Sequence, residues 1–88
     1  MNKNDCKLLY TLYLEGCLDS FQSITASSLC KITEFGGTKV RKTLNEFIEN
    51  GYVSEGLKKS QARTFYITKE GIEHLKKILP ADMIKEQS

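Results

Sequence analysis

Apolar residues recur at helical spacing in several stretches of the chain and alternate with polar ones in another. Leu8, Leu9, Leu12 and Tyr13 share one face of a helix that Asn4 or Asp5 can cap and that Gly16 can stop, since glycine accepts the left-handed conformation at a helix end. Cys6, Tyr10 and Leu14 add a second stripe, and Cys17 extends it, so this helix carries more apolar surface than one packed face needs. Phe21 to Ile24 reads as a brief strand leading to Thr25, which caps a short second helix from Ala26 to Ile32 with Leu29 and Ile32 as its buried face. Glu34-Phe35-Gly36-Gly37 then breaks the pattern, and Thr38 is the expected cap of a third helix from Lys39 to Asn50, stopped by Gly51. That helix has the cleanest pattern, with Val40, Leu44, Phe47 and Ile48 at i, i+4, i+7 and i+8.

Tyr52 to Glu55 and Thr64 to Thr68 are β-prone runs separated by the polar, basic stretch Gly56 to Ala62, the pattern of a hairpin with a long tip. Phe65 and Ile67 alternate with Thr64, Tyr66 and Thr68, which predicts one buried face. Thr68 can cap a last helix from Lys69 to Leu79, with Ile72, Leu75, Ile78 and Leu79 as its stripe and Pro80 as its stop. With 88 residues and no linker-like segment, one domain is expected over 1–88, its core about 4–79, followed by a tail at 80–88 in which Met83 and Ile84 can dock.

Composition removes several classes of function. The three cysteines, Cys6, Cys17 and Cys30, are odd in number and contain no C-x-x-C pair, so packed thiols are expected rather than disulfides or a zinc site, and a redox role for Cys30 has only Lys31 nearby to support it. Gly36-Gly37 lacks the further glycine and the Lys-Ser/Thr pair of a phosphate-binding loop. His74 is the single histidine and reads as a surface imidazole, and no nucleophile, base and orienting partner stand at recognisable spacing, so neither enzymatic activity nor a cofactor or metal is expected. The first residues lack a signal-peptide core, and no apolar run approaches the roughly 18 residues that span a membrane. A cytoplasmic protein with no membrane partner follows as the expectation.

Helix, short strand, helix, tight turn, helix, hairpin, helix is the element order of the winged helix-turn-helix domain, an α+β fold that is mainly α. The run Asn45-Glu46-Phe47-Ile48-Glu49-Asn50-Gly51-Tyr52-Val53 resembles that family's passage from recognition helix to wing. Phe65-Tyr66-Ile67-Thr68-Lys69-Glu70-Gly71 resembles the start of the last helix in MarR- and PadR-type regulators. The resemblance spans roughly Asp5 to Leu79. It implies a three-helix core with a β-hairpin wing, and binding to double-stranded DNA as a transcriptional regulator or as a plasmid or phage accessory factor at a replication or conjugative-transfer origin. The chain lacks the extra helices that form the dimer platform of those regulators and shows no ligand pocket, so no small-molecule effector is expected. A homodimer is expected, with the first helix and the residues after Ile78 as its surface. The alternative is a winged-helix protein-interaction module that docks through its apolar first helix and does not bind DNA.

The distribution of charge agrees with the first reading, although the net charge of +2 does not by itself name a partner. On a helical wheel Thr38, Lys42, Asn45, Glu46 and Glu49 lie opposite the apolar stripe, flanked by Lys39 and Arg41, so the exposed face is basic in its first two turns and acidic in its last. Gly36 to Asn45 holds three cations and no anion, and Gly56 to Tyr66 holds three more, Lys58, Lys59 and Arg63, again without one. Six phosphate contacts would give a log K against log salt slope of about −5. Arg41, Lys42 and Asn45 carry groups suited to base edges, while Lys58, Lys59, Gln61 and Arg63 sit on a wing that can enter either groove, and Tyr66 can donate to a phosphate. Either the third helix or the wing can be the main base reader.

Overall fold

The computed structural model describes residues 3–78; the expectations for Leu79, Pro80, Met83 and Ile84 lie outside that range. Its elements run α1 (Lys3–Leu14), β1 (Ile24–Thr25), α2 (Ala26–Thr33), α3 (Gly37–Glu49), β2 (Val53–Glu55), β3 (Thr64–Ile67) and α4 (Lys69–Ile78). The three strands form one antiparallel sheet in the order β1-β3-β2, with Ile24 opposite Phe65 and Val53 opposite Ile67.

Leu8, Leu9 and Leu12 of α1, Leu29 of α2, Val40, Leu44 and Phe47 of α3, Val53, Phe65 and Ile67 of the sheet and Leu75 of α4 make one continuous core. Cys17 is buried within it, and Cys6 and Tyr10 pack half-buried against it, so most of the second stripe on α1 serves the core; Leu14 stays exposed. Burial pushes the Cys6 and Cys17 thiols above their ordinary range, which keeps them protonated at neutral pH. All three cysteines are free.

Several helix ends differ from the sequence expectation. α1 is already under way at Lys3, so Asn4 and Asp5 occupy its first turn and do not cap it; the Asp5 carboxylate accepts a hydrogen bond from Thr43 Oγ1 of α3 at 3.4 Å. α3 starts at Gly37, with extended Gly36 as its cap residue and Val40 N donating to Gly36 O at 3.0 Å, so Thr38 lies inside the first turn and its exposed side chain is not a cap. The buried face of α2 runs through Leu29 and Thr33, while Ile32 is 45% exposed. The i+4 step from Leu29 stays on the face that Ala26 and Cys30 flank, whereas the i+3 step to Ile32 falls outside it. Thr33 Oγ1 donates to Leu29 O at 2.7 Å and so brings no unsatisfied hydroxyl into the interior. Phe21 is not in a strand: Asp19 Oδ1 accepts from the backbone N–H of Phe21 and Gln22, forming a turn that leaves the ring 79% exposed.

The turn after α3 explains the Gly51-Tyr52 pair. Gly51 has φ +81°, Gly51 N donates to Ile48 O and Tyr52 N to Phe47 O, which closes the helix with a Schellman motif whose flanking rings, Phe47 and Tyr52, lie 6.4 Å apart. Thr68 then ties α4 to this corner. Its N–H donates to Tyr52 O, its hydroxyl donates to Gly51 O, and the same oxygen accepts from Gly71 N at 3.0 Å as the α4 cap. His74 is not a free surface imidazole, because it stacks on Tyr52 with ring centroids 4.3 Å apart.

Candidate nucleic-acid interface

Burial of Val40, Thr43, Leu44 and Phe47 fixes which side of α3 faces outward. Thr38, Arg41, Lys42 and Asn45 are exposed there, Lys39 is half-buried at the edge, and Glu46 and Glu49 occupy the exposed last turns. The exposed side of α3 is therefore basic and polar at its amino end and acidic at its carboxyl end, as the wheel predicts.

The hairpin between β2 and β3 is shorter in its loop and better anchored than the sequence suggests. Lys59 and Ala62 exchange backbone hydrogen bonds, leaving Ser60 and Gln61 as a two-residue turn with φ of +48° and +67°. Positive φ at both central residues is the I′ pattern whose twist suits a hairpin. Leu57 N donates to Ser20 O, Lys59 Nζ donates to Ser23 O at 2.9 Å, and Thr64 Oγ1 donates to Leu57 O while accepting from Ser23 Oγ. The Thr64 side of β3, expected to be the open face, is covered by this loop, and Thr64 is wholly buried together with Phe65 and Ile67. Neither turn residue is glycine, so replacing Gln61 with glycine relieves a left-handed backbone penalty of about 1 kcal/mol. Gln61→Gly is expected to raise the thermal unfolding midpoint by several degrees in a circular dichroism melt, and an unchanged or lower midpoint contradicts the turn assignment.

Of the wing residues, Lys58, Lys59, Gln61 and Arg63 are exposed and Tyr66 is half-buried opposite Ser54. The Lys59 ammonium turns back onto the Ser23 carbonyl. The cationic stretch Gly56 to Tyr66 is also not free of anions in space, because Arg63 Nε donates to Glu55 Oε1 at 2.7 Å. That bond, chiefly, holds the Glu55 carboxyl below its ordinary range.

Arg41 from α3 and Arg63 from the wing line the same cleft of ≈ 280 Å³, whose other walls are Thr25, Ala26, Ser27, Ala62 and Phe65. Thr25 caps α2 by accepting from Ser28 N at 3.2 Å, and its pairing opposite Thr64 sets the start of α2 beside the wing. Sequence reasoning placed Arg41 and Arg63 in one site. It missed Thr25, Ser27 and Glu55, because their proximity depends on strand register, which no local pattern encodes. Among the described residues no cluster of three or more metal-ligating side chains occurs, and no helix is long and apolar enough to cross a membrane.

No protein-family model matches the sequence. The DNA-binding protein TubR of Clostridium botulinum C phage is 40% identical over 79 residues, covering 90% of this chain and 98% of that protein. The chain belongs to the TubR family. The solution structure of a DNA-binding TubR fragment from Clostridium botulinum superposes with a TM-score of 0.74 at 40% identity, covering 90% of this chain and 98% of the fragment. S. aureus MepR in its DNA complex shares the fold at a TM-score of 0.75 and 14% identity, over 98% of this chain and 66% of MepR. The winged helix-turn-helix architecture and the MarR-type resemblance are borne out by these likenesses. As a TubR-family chain, this is a winged-helix protein of α+β class.

Proposed function

We propose that this TubR-family protein binds double-stranded DNA through Thr38, Lys39, Arg41, Lys42 and Asn45 of α3 together with Lys58, Lys59, Gln61, Arg63 and Tyr66 of the wing. The observation that carries the reading is the shared cleft: Arg41 of α3 and Arg63 of the wing line one surface. Its 40%-identical relative is the DNA-binding protein TubR of a phage. A role as a plasmid or phage accessory factor is favoured over ligand-controlled transcriptional regulation, and the protein acts in the cytoplasm. It works as a homodimer whose surface includes exposed Leu14 and the half-buried, stacked Tyr10 and Tyr13 rings of α1.

Phosphate contacts release counterions, so the test is a salt series. The six cations of the two elements predict a log K against log salt slope of about −5 for random-sequence duplex, measured by fluorescence anisotropy. Arg41→Ala and Lys58→Ala are each expected to flatten it by about 0.9. Absence of binding at low salt would sink the DNA reading in favour of a protein-interaction module.

A further inference from the structure

A carboxylate on a surface that meets phosphates lowers affinity unless it does something else. Glu55 stands at the root of the wing with Phe65 as its cross-strand partner, and Arg63 lies two residues before Phe65, so the two charges are diagonal neighbours across the hairpin. Arg63 is held twice: Nε donates to Glu55 Oε1, and the guanidinium carbon lies 5.2 Å from the centroid of the Phe65 ring. The bond to Glu55 uses Nε–H, one of the five guanidinium donors, and the terminal amino groups are the ones suited to a phosphate. Both side chains of the pair are 49% exposed, so as a surface ion pair it contributes little to stability. Its consequence lies in where it holds the guanidinium.

We infer that Glu55 is a positioning residue for DNA binding, fixing Arg63 on the Phe65 ring as one jaw of a seat for a sugar-phosphate strand whose other jaw is Arg41. The cleft suits that ligand. Two arginines can supply bidentate phosphate donors, and exposed Ala62 between them offers apolar surface for a deoxyribose. The seat lies between α3 and the wing, the two elements that the DNA reading assigns to contact. The inference rests on the DNA reading above.

Glu55→Ala and Glu55→Gln both remove the negative charge, but only glutamine keeps an oxygen acceptor for Arg63 Nε. With random-sequence duplex at fixed low salt, Glu55→Gln is expected to bind at least as tightly as wild type. Glu55→Ala is expected to bind about fivefold more weakly than Glu55→Gln, the value of one ordinary hydrogen bond. The gap closes in an Arg63→Ala background, which a general effect on folding would not produce. Equal tightening by both variants would make Glu55 a repelling charge only and overturn its positioning role. For the shared seat, Arg41→Ala combined with Arg63→Ala is expected to depart from the product of the single effects; a strictly multiplicative loss assigns the two arginines to separate strands and overturns that part. If wild type itself does not bind duplex, the DNA reading fails before any variant is compared.

Discussion

Replacing Arg41 and Lys42 together by glutamate is expected to weaken binding to duplex DNA by at least ~100-fold at moderate salt, since each lost charge-assisted hydrogen bond is worth about 1.5–3 kcal/mol. Reversal adds repulsion from the phosphates. Both side chains are exposed on α3, and surface substitutions of this kind change stability by only about 0.5 kcal/mol, so the melting curve is expected to stay in place. Lys76→Glu with Lys77→Glu on α4 provides the control. These lysines are equally exposed but belong to the last turn of another helix, and their reversal is expected to leave affinity within a few-fold. Anisotropy titrations beside thermal melts read both quantities; equal losses from the two double variants would show that only overall charge matters.

The second large effect concerns Gly71. Inside a helix, glycine to alanine ordinarily stabilises by about 1 kcal/mol. At Gly71 the sign is expected to invert, because a Cβ there would press into the Tyr52 carbonyl oxygen and approach Ile67 Cγ1 to 2.7 Å. The carbonyl is held in place by the N–H of Thr68 at 2.9 Å, so it has little room to retreat. Gly71→Ala is expected to cost about 2–3 kcal/mol, which lowers the unfolding midpoint by roughly 10–20 °C in a domain of this size. Gly37→Ala in the first turn of α3, where a Cβ meets nothing within 4 Å, is the matched control and is expected to be neutral or stabilising. Calorimetry of the two variants separates a steric role for Gly71 from a general dependence on glycine.

Gly71 also shows what was legible in the sequence. The Thr68-Lys69-Glu70-Gly71 run is recognisable as a motif, and the Thr68 cap follows from residue chemistry, yet the need for glycine three residues on depends on the Tyr52 carbonyl, which belongs to another element. The α3 stripe was legible because a regular period of apolar side chains has one buried solution, and Val40, Leu44 and Phe47 occupy it. Ile32 and Phe21 depart from the burial their sequence pattern predicts for a shared reason. Both are apolar residues in short segments, where burial is set by what packs against the segment and not by its own pattern. Thr38 was misassigned because a capping side chain one or two residues inside a helix looks the same in sequence as a true cap; here the extended backbone of Gly36 takes that place. In the candidate site, the residue types were readable along α3. The partners Ser23 for Lys59 and Glu55 for Arg63 were not, because they lie across a loop and a hairpin.

The anchoring of the wing bears on how quickly and at what entropic cost the protein would engage its target. A free basic hairpin must surrender backbone and side-chain freedom when it settles on DNA, and each immobilised flexible side chain costs about 0.5–1.5 kcal/mol. Here the Leu57 N–H on Ser20 O and the Thr64 hydroxyl on Leu57 O have already fixed the wing backbone during folding. The encounter then resembles docking of a preformed surface, in which long-range attraction between cations and phosphates sets the rate of association and little conformational search follows.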